Sequence, residues 1–298
     1  MKRILLLAAI SMSGISIYPQ EVNSFQTSDG ETLYFTRQGE GRAIVLLYGG
    51  PGLNAKLMRH WSDTLSDQFE CILFDQRGTG LSEKVKINKG SINLKRAVED
   101  LEDLRKHLNL EKMTLCGFSW GGALSQAYAA NHPDNTEKIV LVSSMGPDMS
   151  LYPAFVDNIA MRRYPNELDP EGFWRNHPNK VDGQVKRIIL DFLPYFFNHK
   201  LGYDVLVKLI QSDSFHQQTA LLMNDDLFKN YDLNKTLPNY HGDCIIIKPR
   251  QDVIPAESAF KIKELLPQTE ILNIEQCGHF PDLEKPEEFF KKLRVALN

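Results

Sequence analysis

Apolar positions along the chain follow two rhythms that take turns. Short apolar runs at 43–48, 71–74, 113–118 and 138–142 predict strands. Between them, 54–66, 93–108 and 121–131 carry apolar residues at helical spacing. In the second of these, Leu94, Val98, Leu101, Leu104 and Leu108 form one stripe. Glu99, Asp100, Glu102, Asp103 and Arg105 fall between them and read as a solvated, structural face. Upstream, Asp29-Gly30 separates two strand-like runs within 22–38, which predicts a hairpin opening the sheet. Repeated strand–helix–strand units require a mainly parallel sheet with helices on both faces.

The rhythm breaks after Val142. From 147 to 238 no strand pattern is visible, and helix-like segments rich in aromatics take over, among them Phe155, Tyr164, Phe173, Trp174, Phe192, Tyr195, Phe196, Phe197, Tyr203, Phe215 and Phe228. Strand 244–248, helix 256–266, strand 270–274 and helix 286–297 then resume the first pattern. The predicted organisation is a core built from 19–146 and 239–298, with 147–238 inserted as a helical cap.

Composition narrows the function classes. With 42% hydrophobic and 24% charged residues the chain is an ordinary soluble globule, and a net charge of −4 offers no footprint for nucleic acid. A small molecule or short peptide is the expected partner. Lys2 and Arg3, an apolar run over 4–10 and a small-residue stretch over 11–16 predict an export signal spanning 1–18 and a secreted or periplasmic protein. That run is shorter than the ~20 residues of a membrane span, so no stable membrane anchor is expected. Cys71, Cys116 and Cys244 sit in apolar runs, where cysteine behaves as a small core hydrophobe rather than half of a disulfide, and the spacing lacks a zinc pattern.

The chemistry centres on Gly117-Phe118-Ser119-Trp120-Gly121-Gly122, between an apolar strand and a helix. Glycines two before and two after the serine permit a sharp strand-to-helix turn that exposes the hydroxyl, and the helix N-terminus favours developing negative charge there. Ser119 is therefore the predicted nucleophile. A serine hydroxyl needs a base and a group that orients it. Of eight histidines only His279 follows the last predicted strand, in Cys277-Gly278-His279-Phe280-Pro281, and is the predicted base. Asp252, in Pro249-Arg250-Gln251-Asp252 after strand 244–248, is the predicted acid; a turn or capping aspartate is its plainer reading. Asp243 precedes its strand, and Asp282 follows the histidine too closely. Tyr48-Gly49-Gly50-Pro51-Gly52 reads as an oxyanion loop, with the Gly50 and Trp120 N–H groups as donors.

Gly49-Gly50-Pro51-Gly52, the segment 75–82 (Asp75-Gln76-Arg77-Gly78-Thr79-Gly80-Leu81-Ser82), 117–122 and Gly278-His279-Phe280-Pro281 together resemble the α/β-hydrolase superfamily, within it the proline iminopeptidase-like branch. The resemblance covers about 25–146 and 240–298. It implies the α/β-hydrolase fold, a Ser119–Asp252–His279 triad, Gly50 and Trp120 as oxyanion donors, and no metal or organic cofactor. Segment 75–82 would brace the site. Tyr48 stands where the family usually has histidine, and Pro249 where it has glycine. The expected activity is hydrolysis of an amide or ester through an acyl-enzyme. An aminopeptidase of proline iminopeptidase type comes first, a carboxylesterase for small esters second, and a non-catalytic binding protein last. Aminopeptidases of this branch hold the substrate amine with cap carboxylates. Asp191, Glu167, Glu171, Asp225 and Asp226 are candidates, each more simply a solvated helix charge.

Overall fold

A computed structural model describes residues 19–163, 189–210 and 215–298. The export signal expected over 1–18, and Glu167 and Glu171, lie outside the described residues. Eight strands form one sheet: β1 Glu21–Gln26, β2 Thr32–Gln38, β3 Arg42–Leu47, β4 Phe69–Asp75, β5 Met113–Phe118, β6 Thr136–Val142, β7 Asp243–Pro249 and β8 Glu270–Ile274. Their order is β1-β2-β4-β3-β5-β6-β7-β8. The opening hairpin pairs antiparallel, and β2 adds to β4 in the same sense. From β4 across to β8 every pairing is parallel. This is the α/β architecture with a mostly parallel sheet that the alternating pattern requires.

Among the described residues the α-helices are α1 Arg59–Leu65, α2 Leu94–His107, α3 Trp120–Asn131, α4 Tyr152–Met161, α5 His199–Ile210, α6 Gln217–Asn230, α7 Glu257–Leu265, α8 Pro281–Glu284 and α9 Pro286–Leu297, with short 3-10 turns between elements. The predicted helix over 54–66 splits into a 3-10 turn, Ala55–Met58, followed by α1.

Side chains alternate across the central strands, so the sheet has two apolar faces. Val45 and Leu47 of β3, Leu115 of β5 and Ile139 and Leu141 of β6 pack on one side with α2, α3 and α7. Ile44 and Leu46, Cys116 and Phe118, and Val140 and Val142 pack on the other with Trp61 of α1 and Phe289 and Leu293 of α9. α3 is buried along its whole length through Ala130, which explains its run of small residues against the sheet. Cys71, Cys116, Cys244 and Cys277 are all buried free thiols.

Two charges on α2 depart from the solvated face read from the sequence. Asp100 is buried, accepting from Arg77 Nε at 2.8 Å, and Arg77 also donates to Asp29. Glu102 accepts from the buried Tyr128 hydroxyl at 2.8 Å and pairs with Arg105. Helical spacing sorts apolar from polar positions but is blind to an arginine delivered from a distant loop. Burial raises the Asp100 carboxyl to about 6 despite Arg77 beside it.

Between β6 and β7 the described chain is helical. α6 belongs to the sheet's own core through Met223 and Leu227, followed by Tyr231 and Leu237. Ile189, Leu193, Phe196, Tyr203 and Leu206 form a separate small core that rests on Phe280 and Leu283.

Candidate active site

Ser119, Asp252 and His279 follow β5, β7 and β8, and the glycine loop follows β3, so the parallel sheet carries all of them to its carboxyl edge. That edge is where open parallel sheets bind ligands. Ser119 sits between β5 and α3 with φ 54° and ψ −115°, a left-handed conformation costing a non-glycine residue about 1–3 kcal/mol. The surroundings hold it there. Its N–H donates to Val142 O at 2.9 Å, while its carbonyl accepts from Gly122 N and Ala123 N.

Gly117 and Gly121 allow the turn its tightness. A Cβ on Gly117 would lie 2.2 Å from Gly121 O, and one on Gly121 would lie 2.1 Å from Leu47 O. The helix start is thus pressed against the end of β3. Gly49 is equally confined: a Cβ there would be 2.7 Å from Ser119 Cβ. The glycine loop therefore passes directly over the serine. Gly50 follows with φ 54°, and Trp120 opens α3, where a first-turn N–H has no acceptor in its own helix.

Segment 75–82 ties these parts together. Asp75 accepts from Ala55 N at 3.0 Å and Leu81 N at 3.1 Å. Gln76 donates to Tyr48 O at 3.2 Å and accepts from Trp120 Nε1 at 2.8 Å, linking the glycine loop to the first residue of α3. From the far side His216 donates its N–H to Gly52 O at 2.8 Å, and its Nε2 accepts from Gly80 N at 3.1 Å. Neither Gln76 nor His216 carried a sequence signal for this role, because each acts across more than 25 residues.

Asp252 and His279 meet directly. His279 Nδ1 lies 2.8 Å from Asp252 Oδ1, with both residues only 3% exposed. Burial works against the carboxylate charge, but Lys248 and His279 outweigh it and bring the Asp252 carboxyl down to about 2. An ionised carboxylate only accepts, so Nδ1 carries the proton in this hydrogen bond and Nε2 is the nitrogen left facing away from Asp252. Ile254 N–H also donates to Oδ1, at 3.0 Å. The imidazole is held by the backbone as well: His279 N–H donates to Tyr195 O at 2.6 Å, and Ser143 Oγ donates to His279 O at 2.9 Å. Phe118, next to Ser119, packs its ring 5.0 Å from the imidazole.

Asp282, the competitor for the acid's place, is turned elsewhere. Its Oδ2 takes Trp61 Nε1 at 2.9 Å and His60 Nε2 at 2.7 Å.

An aromatic row runs from the described helices between β6 and β7 to the imidazole. Phe228 and Tyr152 rings are 4.6 Å apart, Tyr152 and Phe155 5.7 Å, Phe155 and Tyr195 6.0 Å, and Tyr195 and His279 5.3 Å. Tyr152 and Phe228 are exposed at its outer end. Among the described residues, the three carboxylates considered for amine binding are otherwise engaged. Asp191 pairs with Arg163, Asp225 with Lys229, and Asp226 accepts from Leu94 N.

Comparison with known proteins agrees with this architecture. The model of the alpha/beta hydrolase fold family matches residues 42–286. A proline iminopeptidase of Arabidopsis thaliana is 35% identical, the match covering 88% of this chain and 76% of that protein. A probable proline iminopeptidase of Leptolyngbya boryana is 26% identical, over 89% and 90% of the two chains. Among solved structures, an esterase from Exiguobacterium antarcticum superposes with a TM-score of 0.67 at 21% identity, covering 92% of this chain and 98% of its own.

Proposed function

The chain belongs to the α/β-hydrolase family, in its proline iminopeptidase-like branch, and from that premise we propose that it is a serine hydrolase working through an acyl-enzyme. The observation that carries the reading is the strained Ser119 at the sheet edge that also holds the buried Asp252–His279 pair. His279 Nε2 takes the Ser119 hydroxyl proton as Oγ attacks the substrate carbonyl, and Asp252 steadies the imidazolium. The Gly50 and Trp120 N–H groups receive the negative charge on the carbonyl oxygen. The imidazolium returns its proton to the leaving amine or alcohol. Water, deprotonated by His279, then releases the acid.

The named relatives are proline iminopeptidases, which favours the bond after an N-terminal proline as the one cleaved, with another small residue there as a broader reading. The aromatic row supplies an apolar wall for a group next to that bond. One observation favours the alternative of a small-ester carboxylesterase: Asp191, Asp225 and Asp226 already have partners, which leaves these three less suited to a substrate amine.

A fluorophosphonate probe on the purified protein tests the chemistry. It should label Ser119, and Ser119→Ala should lose labelling and roughly 10⁴-fold or more of turnover. Equal labelling of that variant would remove Ser119 from its role. Proline arylamide against p-nitrophenyl acetate then separates the two activities: ester turnover with no release from any free-amine substrate would sink the aminopeptidase reading.

A further inference from the structure

The site described above contains a cation that serine chemistry does not call for. Lys248, in β7 at the end of the apolar run Cys244-Ile245-Ile246-Ile247, is 4% exposed. Its Nζ donates to Asp252 Oδ2 at 3.0 Å and to Ile254 O at 2.6 Å. Oδ1 is taken by His279 and the Ile254 N–H, so the carboxylate is held at both oxygens and has one orientation open to it. A buried ion pair is weak evidence for stability, because desolvation of both charges offsets their attraction, although loss of Lys248 alone would leave the buried Asp252 carboxylate without its cation. The Lys248 Nζ touches the acid of the Asp252–His279 pair directly, so its charge acts on that pair.

We propose that Lys248 is a positioning residue of the Asp252–His279 pair: it aims Oδ1 at the imidazole and, by its charge, opposes entry of a proton into the pair, extending activity to lower pH. The inference rests on the serine-hydrolase reading. Protonation of either partner stops the reaction, since a protonated carboxyl no longer supports the imidazolium and an imidazolium cannot accept from Ser119. The positive charge of Lys248 disfavours the added proton wherever it settles, so the direction does not depend on which partner titrates. Burial pushes the Lys248 ammonium below its ordinary pKa, and Asp252, 3.0 Å away, works against that shift.

Other charged or titratable groups face the pair from every side. Arg162 of α4 donates to the Asp252 and Gln251 carbonyls, and Glu257 of α7 attracts Lys248. The Tyr195 phenol lies near Asp252, and Glu284 of α8 accepts from Gly278 N at 2.9 Å. Asp282 of α8 is held by Trp61 and His60. All of these remain when Lys248 alone is replaced.

The test compares wild type, Lys248→Met and Lys248→Gln by kcat/KM against pH on p-nitrophenyl acetate, with near-UV circular dichroism as the check of folding. The acid limb should move up by about one pH unit or more in both variants, the range expected for a charge removed from within ~4–6 Å. Lys248→Gln keeps a donor for Oδ2 without the charge, so it should retain more of the plateau rate than Lys248→Met. It also carries the test if the methionine variant does not fold. A folded variant with the wild-type acid limb would overturn the proposal. Fluorophosphonate labelling of wild type is run alongside: its failure strikes the hydrolase reading, whereas labelling with an unmoved limb strikes only Lys248.

Discussion

Asp252 shows how a single residue keeps a charge in a place that opposes it. Burial alone would favour the neutral acid, yet Lys248 and His279 hold the folded carboxyl down to about 2, below the ~3.9 of an unfolded aspartate. A carboxyl depressed in the fold stabilises it above the unfolded value and loses that contribution as pH falls through the folded one. The window is therefore about pH 4 down to about 2. Urea midpoints measured at pH 5 and again near pH 2.5 should fall more for wild type than for Asp252→Asn. Equal falls would mean that the charge contributes no stability. At this scale the strand-end positions of Ser119 and His279 were legible in the sequence, because neighbouring glycines and chain order mark them. Lys248 was visible only as a charge ending an apolar strand, with nothing in the chain to say what it faced.

At the scale of elements, the turn between β5 and α3 depends on backbone passing where a side chain would stand. Gly121→Ala puts a methyl 2.1 Å from Leu47 O, a contact that only movement of α3 or β3 relieves. The substitution should cost about 3 kcal/mol, at the upper end of overpacking because the obstacle is backbone, and thermal melts measure it. Activity should fall further than stability, since Trp120 shifts with the helix. An unchanged melt would show that the helix start is looser than its packing indicates. The strands and helices themselves were readable from period-two and helical spacing. What spacing misjudged was Asp100, which it placed in solvent; the residue lies beneath Arg77, a partner 23 positions away.

For the whole molecule, the helices between β6 and β7 do not share one core. α6 shares the sheet's large core through Met223 and Leu227, whereas α5 belongs to the small cluster around Phe196. Native-state hydrogen exchange should show α6 amides opening with β5 and β6, and α5 amides exchanging sooner, because among the described residues the smaller core holds fewer apolar groups. Identical protection in α5 and α6 would contradict this division. The sequence by itself determined the alternation of strand and helix, the break after Val142, and the candidate residues that follow the strands, because periodicity and turn glycines act over a few neighbours. Tertiary structure alone decided that Asp252 meets His279 at 2.8 Å, that Gln76 and His216 brace the glycine loop, and that Lys248 faces the buried acid. Those contacts depend on strand order and on which side chains share a desolvated space, and neither quantity is written in local spacing.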